Sequence, residues 1–251
     1  MILKKKEHDL IFFFLLITSI VGVIIIGDLI FPVLILKHIF IVLTVSFLST
    51  FLFYKFSFIS KKRDLKFFLI LTVVCWLALP WFFTLIHELS HAITSLINGF
   101  EVINIEINWP YGGETNLPPD SWVIPEVRKI GYTRVSLSGS LVSVLIISIL
   151  NRGIYHIKEI RVSVFFPIFM ITSWWILFEV LYWFNGITSY IKGIGMMNDA
   201  YQFLYLYLQL SDPFILIDPN LLRIIIAGIF AVLLIWFPMN LLKRIKIWGS
   251  I

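Results

Sequence analysis

Long apolar runs constrain this chain more than any other feature of its sequence. Six stretches of mostly apolar residues approach or exceed the roughly 20 residues that a helix needs to cross a bilayer. Charged residues make up only 14% of the chain, whereas a soluble domain has about a quarter. The sequence therefore predicts an all-α polytopic membrane protein with about six transmembrane helices embedded in the lipid bilayer. The predicted spans are Leu10–Gly27, Leu34–Phe56, Phe67–Asn98, Val135–Leu150, Val164–Phe184 and Leu222–Leu241.

The basic residues form short clusters between these runs, as topology signals do. We therefore expect no nucleic-acid partner despite the formal net charge of +5. Six crossings place the clusters at the two termini and in two connections on one side, which we expect to be the cytoplasm. The Ile-, Phe- and Lys-rich usage favours a prokaryotic cell membrane. No repeat or linker interrupts the chain, so we expect one domain over residues 1–251 with its core at 65–210.

The third apolar run is too long for one straight crossing. Its 32 residues from Phe67 to Asn98 would form a helix of nearly 50 Å. Pro80 lies inside the run and has no backbone N–H, so the sequence predicts a kink or a break there. The stretch TLIHELSHAITSLINGF follows this proline.

That stretch contains the HExxH pattern of His87, Glu88 and His91. Residues four apart share a helix face, so both imidazoles can bind one metal ion. Glu88 can then act as the general base on a water molecule, as in zinc hydrolases. Polar residues in a membrane span are costly unless they bind a ligand or have a function. The simplest alternative is a pair of buried histidines without a metal.

A catalytic zinc site normally has a third protein ligand. Asp199 is the first candidate, because two further spans return the chain to the membrane face of the histidines before it. The alternative for Asp199 or Asn198 is the N-cap of the following helix. Glu179, inside the fifth span, is the second candidate ligand; its alternative is a pair with a histidine or a hydroxyl group.

Two connections carry non-helical signals. Isoleucines alternate with polar residues from Ile103 to Ile107, and Gly112 and Gly113 follow, which predicts a small β-hairpin after the HExxH helix. We expect either a substrate-binding edge at Ile105 or a structural plug. Further on, Asn185 begins a predicted loop or re-entrant segment that leads into a short helix from about Ala200.

Together these motifs make the chain resemble the site-2 protease family of intramembrane zinc metalloproteases. The resemblance covers roughly Thr84 to Leu208 and rests on HELSHAITSLINGF, the Ile103–Ile107 strand with its Gly-Gly turn, SLSGSLVS and NDA. It implies one Zn²⁺ per chain, held by His87, His91 and Asp199, with Glu88 activating water. It also implies cleavage of transmembrane segments of other membrane proteins.

Other functions remain open beside proteolysis. An oxyanion partner is expected, and Asn198 and Asn185 are the candidates. A zinc-stabilised, non-proteolytic scaffold or chaperone would keep the same fold, although a structural site needs no base such as Glu88. A di-iron desaturase needs several histidine boxes, whereas the remaining histidines are scattered. A metal transporter would want polar groups along more than one span.

Overall fold

The structure, a computed structural model, describes residues 34–56, 58–59, 61–108, 112–117, 126–157, 161–195, 198–210 and 217–248, with scattered positions between 11 and 30. The predicted first span, Leu10–Gly27, therefore lies partly outside the described residues, and the positions described within it are helical.

Six helices and two strands have defined bounds in the described part of the chain. Five of these helices (α1, α2, α3, α4 and α6) are long and apolar enough to cross a membrane. With the single hairpin, they confirm the predicted all-α membrane class. The elements are α1 Leu34–Lys55, α2 Lys62–Ile97, β1 Asn104–Ile107, β2 Gly113–Asn116, α3 Glu126–His156, α4 Val162–Ile191, α5 Asp199–Tyr207 and α6 Pro219–Trp248.

Helix α2 continues through Pro80, so of the predicted kink or break the break is wrong, and the kink stays a prediction. A proline deprives one carbonyl, that of the residue four positions earlier, of its usual partner. Here that residue is Trp76, and the buried imidazole of His38 lies beside its backbone. A break would instead leave about four unpaired groups at each new helix end, which lipid cannot satisfy. A continuous helix is therefore the less costly arrangement.

Helix α4 is longer than predicted. Asn185 and Gly186 lie within it, so the predicted loop does not begin there. The helix ends at Ile191, and Gly193 follows with φ 66°, while the Ile194 N–H donates to the Ser189 carbonyl at 3.0 Å. A left-handed glycine with this bond is a common helix end. The short helix predicted from about Ala200 is confirmed as α5.

The chain divides into two compact units. Unit 1 comprises Met1–Pro80, Asn151–Thr172 and Pro238–Ile251. Its core is aromatic: the Phe53 ring packs at 4.0 Å from the Phe166 ring and at 4.8 Å from that of Phe68, measured between centroids. The single-domain expectation stays a prediction.

Unit 2 comprises Trp81–Leu150 and Ser173–Phe237 and contains the HExxH motif. Helix α5 is held there by a small apolar cluster. Phe203 and Leu204 of α5 are buried against Ile187 of α4, and Leu137 of α3 packs on the same cluster. This packing fixes α5 against α3 and α4, which positions the residue at its N-terminus.

The end of α2 leads directly into the hairpin. Gly99 has φ 76°, and the Phe100 N–H donates to the Ser95 carbonyl at 2.9 Å, which closes the helix. The Phe100 ring then stacks on Tyr132 of α3 at 4.2 Å. Strands β1 and β2 pair antiparallel, with Ile105 opposite Thr115. The hairpin is confirmed, its first strand beginning one residue later than predicted.

Candidate metal centre

His87 and His91 lie one helical turn apart on α2, within unit 2. Their Nε2 atoms are 3.1 Å apart, and the two rings meet edge to face with centroids 4.8 Å apart. The side chain of His87 is only 12% exposed and that of His91 8%. The i, i+4 spacing therefore brings the two imidazoles together, as the motif predicts.

Asp199, the first residue of α5, joins the histidine pair from 108 positions or more further along the chain. Its Oδ2 atom lies 2.9 Å from His87 Nε2 and 3.2 Å from His91 Nε2. The N-cap of α5 is Asn198, whose Oδ1 accepts the Ala200 and Tyr201 N–H groups. The two alternatives thus fall on different residues: Asn198 caps the helix, and the Asp199 carboxylate meets the histidines.

Each histidine has an outer ring nitrogen, Nδ1, and an inner one, Nε2, which faces the other donor atoms. The hydrogen bonds of the outer nitrogens determine whether the inner ones carry a proton or a lone pair. His91 Nδ1 lies 2.7 Å from the Val135 carbonyl oxygen, and His87 Nδ1 lies 3.2 Å from Glu179 Oε1. Both partners only accept hydrogen bonds, so each Nδ1 carries the proton and each neutral ring presents an Nε2 lone pair. Two nitrogen lone pairs and a carboxylate oxygen therefore converge, which is unfavourable unless a cation or a proton lies between them.

A metal ion fits this donor set. With bonds of about 2.0–2.1 Å and tetrahedral angles, neighbouring ligand atoms lie about 3.3 Å apart. The three observed separations, 2.9, 3.1 and 3.2 Å, are close to that spacing. Burial disfavours the charged form of Asp199, but when a proton takes the place of the cation, hydrogen bonds with the two histidines outweigh this and hold the pKa of Asp199 well below its usual range. His87, His91 and Asp199 can thus hold a metal ion.

Gly139 of α3 borders the three donor atoms, and sequence reasoning did not single it out. A Cβ atom added there would lie 2.6 Å from His87 Nε2 and closer still to His91 Nε2. Any side chain would therefore occupy the space beside both nitrogens. The sequence signal was present in the small-residue stretch SLSGSLVS, but it reads equally well as ordinary helix packing.

Glu179 of α4 lies behind His87 rather than among the inner donor atoms. Its Oε1 receives both the His87 Nδ1–H and the Ser143 hydroxyl, the latter at 3.1 Å. These are the histidine and hydroxyl partners expected if Glu179 is not a ligand. In this arrangement Asp199 is the third inner donor.

Glu88 points toward the hairpin and is only 5% exposed. The Thr115 hydroxyl of β2 lies 2.9 Å from Glu88 Oε2 and 3.0 Å from the Glu88 carbonyl oxygen. A Cβ atom added at Gly113 would approach Glu88 Cγ to 2.5 Å. The second strand thus packs directly on the candidate base. Thr115 was missed because only the first strand has an apolar alternation.

The loop before α5 is held by α4. Asn198 Nδ2 donates to the Tyr182 carbonyl oxygen at 3.2 Å, and the Asp199 N–H donates to the Tyr182 hydroxyl at 3.2 Å. A Cβ atom at Gly186 would lie 2.8 Å from the Ala200 Cβ and closer still to Asn198 Oδ1. Gly186 is thus a close-packing position that lets Asp199 reach the histidines.

The remaining predicted site residues lie around this centre. The Asn198 amide is used in capping and in its bond to Tyr182, so both of its ends are engaged. Asn185 is exposed on α4, and among the described residues it has no hydrogen bond to His87, His91 or Asp199. Ile105 is half-buried on β1, across the hairpin from Thr115.

The arrangement combines a three-donor metal site with a carboxylate on the residue next to the first donor. Comparisons of this chain with protein-family models, with curated proteins and with solved structures found no match.

Proposed function

We propose that this chain is a multi-pass membrane zinc metalloendopeptidase that hydrolyses peptide bonds in or near transmembrane segments of other membrane proteins. This activity is that of the site-2 protease family, which the sequence resembles. The observation that carries the proposal is the convergence of His87, His91 and Asp199, with Glu88 adjacent in sequence.

The donor set supports zinc as the metal. Two imidazole nitrogens and one carboxylate oxygen are ligands that Zn²⁺ accepts readily, and catalytic zinc sites use three protein ligands and leave a fourth position open. The sequence has a single cysteine, Cys75, which lies outside the cluster, so thiolate-preferring metals are less suited to it. We expect one Zn²⁺ per chain.

The chain's own residues divide the chemistry between them. Zinc, when bound, contributes the Lewis acidity that activates water near neutral pH and polarises a carbonyl. Glu88 accepts the proton of the attacking water and returns it to the leaving amine nitrogen. The Thr115 hydroxyl bonds to Oε2 of Glu88, which leaves Oε1 available for the proton.

The hairpin supports an extended peptide as the substrate. The Asn108 N–H donates to the Gly112 carbonyl, and bonded pairs alternate along an antiparallel ladder. The backbone groups of Ile105 therefore point away from β2. An unwound substrate segment could add to this edge as a further strand, which is a common mode of peptide binding.

We further propose that both termini are cytoplasmic and that the metal centre lies toward the opposite face. The basic clusters at the ends of the apolar runs support this orientation. A membrane-impermeant thiol reagent added to intact cells should then label Glu101→Cys and leave Lys61→Cys unlabelled. The reverse pattern would overturn the orientation and leave the enzyme proposal intact.

The central experiment compares wild type, Glu88→Gln and the control Glu101→Gln, which alters an exposed residue just after α2. Each protein is purified at full length in detergent and incubated with a library of transmembrane segments carrying a reporter. We expect near one zinc per chain in all three, and cleavage by wild type and the control only. Wild-type rates in Glu88→Gln would overturn the role of the base. Absence of zinc from wild type would overturn the metal site.

One observation favours a second function. The hairpin covers Glu88, which is nearly buried, as in a closed, non-proteolytic scaffold or chaperone that binds client helices. In that case wild type would cleave no member of the library but would retain some members in a zinc-dependent manner.

A further inference from the structure

We propose that Glu179 is a positioning residue of the metal centre, which sets the zinc affinity through His87 and balances the charge of the ion. This inference rests on the metal-binding part of the proposed function and is independent of peptide cleavage. It assigns a role to a buried carboxylate that the hydrolytic steps do not use.

Three helices meet at one oxygen atom of this side chain. Glu179 Oε1, on α4, lies 3.2 Å from Nδ1 of His87 on α2 and 3.1 Å from the hydroxyl of Ser143 on α3. A carboxylate oxygen only accepts, so both neighbours donate to it. The Ser143 hydroxyl holds Oε1 in place, and Oε1 in turn fixes the plane and the tautomer of the His87 ring.

The two histidines are supported unequally. The outer nitrogen of His91 donates to a neutral backbone carbonyl, that of Val135, whereas the outer nitrogen of His87 donates to a carboxylate. A carboxylate partner makes an imidazole a stronger metal ligand than a neutral partner does. His87 should therefore contribute more to metal affinity than His91, and this difference should depend on the charge of Glu179.

Burial strengthens the effect of the Glu179 charge on the metal ion. Glu179 is 3% exposed and Ser143 is fully buried, in helices of the length and apolarity that crosses a membrane. Glu179 Oε2 has no hydrogen-bond partner among the described residues. A dication held by two neutral imidazoles and the Asp199 carboxylate keeps one net positive charge. Glu88 and Glu179 are the two other buried glutamates in this part of the chain, and Glu179 is the one bonded to a histidine of the site, so its negative charge acts on the ion through His87, which matters most in a low-dielectric setting.

Geometry separates this role from that of a metal ligand. Glu179 lies against Nδ1 of His87, whereas Asp199 lies against Nε2 of the same ring. The two nitrogens point to different sides of an imidazole. Glu179 could therefore bind the ion only by giving up its bond to His87.

The test measures metal affinity rather than cleavage. Full-length wild type, Glu179→Gln, Ser143→Ala and the control Glu101→Gln are titrated with Zn²⁺ against a chelator, and with Co²⁺ by visible absorption. Glutamine keeps the size and the accepting oxygen of Glu179 but removes the charge. We expect a Zn²⁺ Kd raised about 10- to 100-fold in Glu179→Gln, a smaller rise in Ser143→Ala, and an unchanged Co²⁺ spectrum in both.

Two results would overturn the inference. A Zn²⁺ Kd in folded Glu179→Gln equal to that of wild type would exclude the positioning role. A Co²⁺ spectrum altered as in Asp199→Ala would make Glu179 a ligand. If Glu179→Gln does not fold, Ser143→Ala decides: a weakened Kd supports the role, and an unchanged one excludes it. Failure of wild type to bind Zn²⁺ would instead reject the metal site itself.

Discussion

Two parts of unit 2 meet at the HExxH motif and are built in different ways. The candidate metal-binding part consists of His87, His91 and Asp199, all on helices, with both outer histidine nitrogens bonded to buried acceptors. The hairpin part consists of β1 and β2, whose four-residue strands are largely exposed or half-buried and contact the motif at Glu88.

In the proposed enzyme, different parts of unit 2 would hold the metal and handle the proton. Helix packing around Ile187 and Leu204 fixes the first part. An isolated two-stranded hairpin is only marginally stable, so its contacts with Glu88 and the stacking of Phe100 on Tyr132 must help to position it. Changes in the helical part should therefore remove the metal, whereas changes in the hairpin should alter only the rate.

The largest effect should come from Asp199→Ala. It removes one of three ligands, so zinc affinity should fall by more than the roughly 100-fold that the loss of an outer-shell partner can cost. Zinc per chain after purification measures this, and near one equivalent in wild type should become none. Asp64→Ala, in the first turn of α2, is the control and should keep its zinc.

Zinc retained in Asp199→Ala would contradict the assignment of Asp199 as the third ligand. The third ligand would then have to be another carboxylate, and Glu179 is the buried one beside His87. The variant Asp199→Ala with Glu179→Ala would distinguish this case from adventitious binding, since only a ligand exchange predicts that the double variant loses the ion.

Gly139→Ala should have the next largest effect on zinc binding. The added methyl group must displace the nitrogens of His87 and His91, and overpacking of this kind costs about 1–3 kcal/mol. We expect weakened zinc binding together with a lower thermal unfolding midpoint of the zinc-loaded protein. Gly153→Ala is a matched control on the same helix, because a Cβ there meets nothing within 4 Å. Equal zinc affinities in the two variants would show that the space beside Gly139 is not part of the metal site.

Much of the metal centre was predictable because its signals are local. The i, i+4 spacing of His87 and His91 fixes their shared face, and the glycine after Asn98 marks the end of the helix. Asp199 was predictable only by following the chain across the membrane. The same reasoning ranked Asp199 before Glu179, but only the structure separates their contacts: Asp199 meets Nε2 of His87, and Glu179 meets Nδ1 of the same ring.

The parts that could not be predicted depend on contacts between distant segments. Nothing in the residues around Gly139 or Thr115 indicates that they approach α2, because approach distance is set by packing of α3 and the hairpin. The continuity of α2 at Pro80 likewise could not be predicted from the residues around the proline. His38, which lies beside the Trp76 backbone, stands 38 positions before that residue, and no local rule places a histidine there.

Thr115→Val should have a moderate effect on rate and none on zinc. Valine keeps the shape of threonine but cannot donate to Glu88. Hydrogen bonds to charged groups contribute about 1.5–3 kcal/mol, so kcat for a reporter substrate should fall at least about tenfold, with KM little changed. Thr115→Ser restores the hydroxyl and should recover most of the rate. If Thr115→Ser cleaves as slowly as Thr115→Val, the packing of the Thr115 methyl group matters and its hydroxyl does not.

Ile105→Pro should have the smallest effect and tests the edge of β1 directly. Proline removes an N–H that points away from β2, so pairing with Thr115 can persist, as proline is tolerated on edge strands. One lost backbone hydrogen bond to an added strand is worth about 0.5–1.5 kcal/mol, which predicts cleavage slower by about 2- to 10-fold with zinc retained. Ile105→Ala keeps the N–H and should cleave near the wild-type rate. If alanine and proline slow cleavage equally, the side chain of Ile105 makes the contact and the strand edge is not where the substrate binds.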